Sequence, residues 1–149
     1  MKIDSAMEAK YPELSRWIER HLPRVRFKFE LFRVFARYTE GSKKDARAML
    51  KRGSLPLINA RDLKRGANGA FNASWGHNTV WLSTEVCEKF ETNETAQKDA
   101  RMHRLIESTL LHEMVHWCDF SKDGKHKTHE VGEDFEEDAY GYNVGRYWI

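Results

Sequence analysis

The stretch Leu110-Leu111-His112-Glu113-Met114-Val115-His116-Trp117 sets two imidazoles four residues apart with a carboxylate between them. In a helix, residues four apart lie roughly 40° apart around the axis, so His112 and His116 present their rings to one point and make a two-armed clamp for a zinc ion. Glu113 lies about 100° further round, near enough to take a proton from an attacking water while staying outside the ligand set. That division of labour is the chemistry of metal-assisted hydrolysis.

Context strengthens the motif. Arg101, His103, Arg104, Glu107 and Ser108 give the preceding turns a polar side, whereas from Leu110 to Trp117 nearly everything except the His-Glu-His triplet is apolar. A helix that enters the core all round yet keeps three ionisable groups must satisfy them, and a metal would do so. Two histidines leave a catalytic zinc site one protein ligand short, with a water in the remaining position. The HExxHxxGxxH pattern of metzincins is absent, because its Gly and third His positions are Asp119 and Lys122. A loop around Asp123-Gly124 leads instead to the acidic segment Glu130–Tyr142, from which a second helix can supply a glutamate, the gluzincin solution. Glu136 is the chosen third ligand, on a face with Tyr140, and the small Gly132 and Ala139 allow close approach to the motif helix. Glu133 is the runner-up. His126 and His129 suit an exposed or oxyanion-stabilising role better than ligation. Tyr140 and Tyr142 are candidate donors to a tetrahedral intermediate.

Around these residues the sequence predicts a mostly helical α+β chain. Helices are expected over 11–22, opened by Pro12 and closed by Pro23, over about 28–39, and over about 43–52, ending at Gly53. Leu55–Ala60 reads as a strand. Ala70–Trp75 and Thr79–Ser83 read as a hairpin joined by Gly76-His77-Asn78. Thr79-Val80-Trp81-Leu82 is the candidate edge strand on which an extended substrate would lie. A short helix follows over Thr84–Phe90, capped by Ser83 or Thr84, and the long motif helix is expected over about 95–119.

At 149 residues, with 40% hydrophobic and 32% charged residues, the sequence fits a single domain, 1–149, able to bury its own core. It holds no apolar run of membrane-spanning length, and its first residues lack the apolar core of a Sec signal. The net charge of +2 is unevenly placed: residues 1–66 carry 17 Lys+Arg against 8 Asp+Glu, and residues 67–149 carry 8 against 15. Mutual complementation of the halves is one explanation, and a basic face for an anionic polymer the other. No RNA motif, finger spacing or basic zipper points to nucleic acid. Cys87 and Cys118 form no CxxC pair, and Cys118 lies about 200° from the histidine face, so two buried free thiols are expected.

LLHEMVHWCDF, a short Asp-Gly loop and EVGEDFEEDAYG together resemble the zincin-type metallopeptidase toxin domains of bacterial polymorphic toxins and type VI secretion effectors. The resemblance covers about residues 70–142, including GAFNASWGHNTVWLS, and is weak over the amino-terminal third. It implies a small zincin-like fold with a short sheet or hairpin beside the HExxH helix. It also implies zinc held by His112, His116 and a downstream glutamate mapped onto Glu136, with Glu113 as base. An antibacterial effector delivered by secretion machinery, with a cognate immunity protein, follows from the same likeness. The expected substrate is an amide in a protein or in the peptide stem of the cell wall. The rival is a zinc-stabilised binding domain in which Glu113 is incidental.

Overall fold

A computed structural model describes residues 1–39, 42–124 and 131–148. The chain opens with β1 (Lys2–Ile3) and α1 (Ser5–Lys10), elements that the sequence pattern did not reveal. α2 (Pro12–His21) starts on Pro12 at its first turn and runs into a 3-10 helix over Leu22–Phe27. α3 (Phe29–Tyr38) and α4 (Lys43–Leu50) follow as expected, the second capped by Ser42, whose hydroxyl accepts from the Asp45 amide.

The sheet has strand order β1-β2-β4-β3, with β2 at Leu57–Arg61, β3 at Gly69–Phe71 and β4 at Thr79–Ser83. β1, β2 and β4 run parallel, and β3 pairs antiparallel with β4. Two expectations are corrected here. The first hairpin strand ends at Phe71 rather than Trp75, because the Asn72 carboxamide oxygen accepts from the Ser74 amide and hydroxyl, and Trp75 N donates to Asn72 O. That side-chain-stabilised turn competes with the ladder, so residues 72–78 form a loop rather than a three-residue turn. Secondly, β4 is not at the edge. Its alternating Val80 and Leu82 are fully buried, which suits a strand paired on both sides, and the short, glycine-started β3 takes the edge instead.

α5 (Thr84–Glu91) is capped by Ser83. The expected single helix from about residue 95 is divided: α6 (Glu94–Lys98) ends at Asp99, and Asp99 caps α7 (Ala100–Asp123), accepting from Arg101 N. α7 is buried on most of its circumference and ends at Gly124, whose φ of +70° suits glycine. α8 (Val131–Tyr140) is seated by Phe135, which is fully buried and meets Phe35 and Tyr38 of α3 edge-on at 6.0 and 5.8 Å. The Tyr38 hydroxyl donates to Asp138, and Arg37 pairs with the same carboxylate at 3.2 Å. α3 thus fixes α8 in azimuth, turning the neighbouring side, with Gly132 and Glu136, onto α7.

The uneven charge is partly neutralised within the fold. Lys10–Glu88, Lys28–Glu107, Arg37–Asp138 and Lys122–Asp45 all join one half of the sequence to the other.

Candidate metal centre

One helical turn of α7 brings His112 and His116 to a ring-centroid separation of 5.1 Å. One ligand atom from each of His112, Glu113 and His116 falls within 4.8 Å of the others. Both imidazoles are half-buried and Glu113 is buried, as expected for a helix that sinks into the core around its polar triplet. Nε2 of His112 is the nitrogen on the Glu113 side, 3.9 Å from its Oε1. The group opens into a cavity of about 540 Å³ walled by β3 and the preceding Ala67 and Asn68, by Thr109 and Asp119 of α7, and by Glu133 and Glu136 of α8.

Two glycines set the depth of this cavity. A Cβ on Gly69 would stand 2.5 Å from Thr109 Cγ2 and 2.9 Å from Trp81 O, so the edge strand leans directly on α7. A Cβ on Gly132 would stand 2.2 Å from His112 Nε2 and 2.3 Å from its Cδ2. The close approach of α8 expected from Gly132 is therefore made against the imidazole itself.

Glu136, expected as the third ligand, has both oxygens engaged in other ways. Its Oε1 lies 2.6 Å from His112 Nδ1, and its Oε2 accepts from Val144 N at 2.7 Å. Against an ionised carboxylate Nδ1 is the donor, which leaves the Nε2 lone pair for a metal. The carboxylate sits behind the ring, on the Nδ1 side, and braces it. Glu133, the runner-up, lines the cavity, is exposed, and makes no hydrogen bond or ion pair among the described residues. Asp119 also lines the cavity and is buried. The sequence reading passed over it, although its position three residues after His116 puts it on the same helix face.

Tyr140 does not reach the cavity. Its hydroxyl donates to Glu107 Oε1 at 2.9 Å, more than a turn of α7 away from His112, and burial beside that carboxylate pushes its pKa far up. An anchored phenol of this kind ties α8 to α7 and is not aimed at a reacting carbonyl. Tyr142 is exposed and accepts from Arg104 at 2.8 Å. His77 is exposed, its ring 6.0 Å from that of Phe120. His126 and His129 lie outside the described residues. Cys87 and Cys118 are buried free thiols away from the cavity.

A further residue that no pattern marked is Arg146. Only 4% of its side chain is exposed. It donates to Asn68 Oδ1 at 2.8 Å, to Ala67 O at 2.8 Å and to the Ser83 hydroxyl at 3.2 Å, and it pairs with Glu85. The segment after α8 thereby fastens the approach to β3 while Val144 holds Glu136.

Two imidazole nitrogens at one end of an open cavity, with the Glu113 carboxylate close beside them, match a catalytic metal site that keeps a base within reach. The class so defined is a metal-dependent peptidase. Comparison with protein families matches residues 7–141 to metallopeptidase toxin 3, and the chain belongs to that family. Searches of curated proteins and of solved structures find no match.

Proposed function

We propose that the chain folds as one zincin-like domain and is a zinc-dependent peptidase acting as a secreted antibacterial toxin. The observation that carries the reading is the His112-Glu113-His116 group opening into a cavity roofed by an edge strand. In this assignment His112 and His116 hold the ion through their nitrogens. Glu133 swings in from α8 as the third donor, since it lines the cavity, has a flexible stem and makes no hydrogen bond or ion pair among the described residues. When bound, zinc supplies Lewis acidity that polarises the scissile carbonyl and makes water easier to deprotonate. Glu113 then accepts the proton of the attacking water and passes it to the leaving amine. Glu136 keeps His112 in one tautomer and orientation. The peptide lies along β3, adding as a strand beside Gly69-Ala70-Phe71, which puts the sheet edge where the sequence reading had placed β4.

The substrate is an amide of a protein or of a cell-wall peptide stem. Delivery by a secretion machine such as the type VI apparatus, and neutralisation by a cognate immunity protein, complete the proposal. No described helix is long and apolar enough to cross a membrane. A zinc-stabilised binding domain would instead need a closed set of protein ligands, which an open cavity of about 540 Å³ before the donors does not favour.

The test is zinc content and peptidase activity of the wild type and Glu113→Gln, with each expressed in the cytoplasm and the periplasm of a bacterium. Glu113→Gln is expected to keep fold and zinc and to lose about 10²–10⁴-fold in turnover, the usual worth of a positioned general base. Undiminished activity in that variant would remove Glu113 from the role. Toxicity of the wild type in one compartment locates the target, and absence of toxicity in both would refute the antibacterial part alone.

A further inference from the structure

Away from the cavity, the 3-10 helix over Leu22–Phe27 makes a turn whose inward residues, Leu22 and Val25, are buried, while Arg24, Arg26 and Phe27 face outward. Phe27 and the nearby Phe29 are 74% and 75% exposed, the two most exposed of the large hydrophobic side chains among the described residues. Beside them lies a groove of about 360 Å³ lined by Arg20, Arg24, Arg26, Lys51 and Arg52 with Pro23 and Phe27, and no acidic residue enters its lining. Among the described residues none of these five cations forms an ion pair. Among the described residues the only side-chain hydrogen bond any of them makes is from Arg52 Nε to Glu19 O. Elsewhere in the basic half Lys10, Lys28 and Arg37 are each paired with an acid of the other half, whereas this groove gathers five cations with no acid in its lining.

We infer that this face is a docking surface for an anionic phospholipid membrane, with Phe27 and Phe29 entering the acyl boundary and the groove cations holding lipid phosphates. The match is one of layering. Two exposed rings two residues apart in the chain, one of them lining a cationic groove, call for an apolar layer directly behind an anionic one, which is the order of a bilayer leaflet. Arginine forks suit phosphate oxygens. A nucleic acid would need free ring faces on which to stack bases, but the Arg26 guanidinium already covers a face of Phe27, 4.6 Å from its centroid. An acidic protein would satisfy the cations without calling for two protruding phenylalanines. The inference does not depend on the proposed peptidase activity.

The experiment is co-flotation of the purified full chain with vesicles of phosphatidylcholine alone or mixed equally with phosphatidylglycerol, at low and physiological salt. Polyglutamate and a single-stranded oligonucleotide serve as competing anions. The wild type is expected to bind the anionic vesicles at least tenfold more tightly than the neutral ones. Arg24→Gln with Arg26→Gln should lower binding roughly 25-fold, about fivefold for each cation lost near an anionic surface. Phe27→Ser with Phe29→Ser should lower it tenfold or more while keeping the preference for anionic lipid. All four positions are exposed, so circular dichroism and melting temperature should be unchanged. Equal binding to both vesicle types, insensitivity to either double variant, or polyglutamate or oligonucleotide binding the wild type more tightly than anionic vesicles would each overturn the assignment.

Discussion

Replacing Glu136 with glutamine separates the two parts its carboxylate could play. Two donors converge on it: His112 Nδ1 at 2.6 Å and Val144 N at 2.7 Å. Glutamine is nearly isosteric but offers one oxygen and one NH₂, so it can accept from only one of them. If its oxygen turns to Val144, its NH₂ faces Nδ1 and drives the imidazole proton to Nε2, the nitrogen a metal needs. If the oxygen turns to His112, the Val144 amide is left facing a donor. A part-buried donor without an acceptor costs about 1–3 kcal/mol, so the variant should melt lower. Loss of a carboxylate behind a metal-binding histidine typically costs 10–100-fold in metal affinity or activity, or about 1.4–2.8 kcal/mol at 1.4 kcal/mol per tenfold. Zinc competition with a chelating dye measures the first quantity, and hydrogen exchange at Val144 reports which donor was abandoned. Wild-type zinc affinity with full Val144 protection would refute the bracing role. A loss far beyond a hundredfold, with Val144 still protected, would instead make Glu136 a direct ligand, as the sequence pattern suggested.

Other expectations follow from the same geometry. Phe135→Ala should lower stability by about 3–5 kcal/mol, the usual cost of emptying an aromatic core position, and should weaken zinc binding as α8 loosens, both measurable by denaturant titration with and without metal. Asp99 is held near pKa 2 rather than 3.8 by the Arg101 guanidinium and then by the Arg101 amide donating to it. A lowered native value means stabilisation that is complete above about pH 4 and drains away as pH falls through 2. Asp99→Asn should therefore melt below the wild type at neutral pH, and the two should converge in acid. Burial pushes the Cys87 thiol up to about 12, so neither it nor the buried Cys118 should react with an alkylating reagent until the chain is unfolded. Modification of the native protein at the denatured rate would contradict the burial of both.

What the sequence could and could not disclose follows from the range of each signal. The motif helix, α2, α3 and the Ser83 cap were readable because helical period and capping chemistry act within a few residues. The helical period of α8 sets Glu136 on a face, but a face does not name a partner, and its contact with the His112 ring joins residues 24 apart in the chain. Tyr140 shows the same limit: one helical turn along α8 carries its hydroxyl to Glu107. Strand order failed for a related reason, since β2 and β4 pair across 22 residues and only burial on both faces distinguishes a central strand from an edge. The early end of β3 was in principle visible in Asn72-Ala73-Ser74, a short polar turn signal masked by the aromatic alternation around it. Arg146 gave no periodic cue, lying as it does in irregular chain.

The clasp made by Arg146 and Val144 lies beyond residue 141, where the family match stops. A copy of this domain cut short after residue 141 would keep every residue of the HExxH motif and the whole matched span, yet Glu136 would lose the Val144 amide that holds it and the approach to β3 would lose Arg146. Inventories of such toxins based on motif and family alone would count that truncated copy as armed, and only the few residues of the trailing segment would tell a working weapon from a relic.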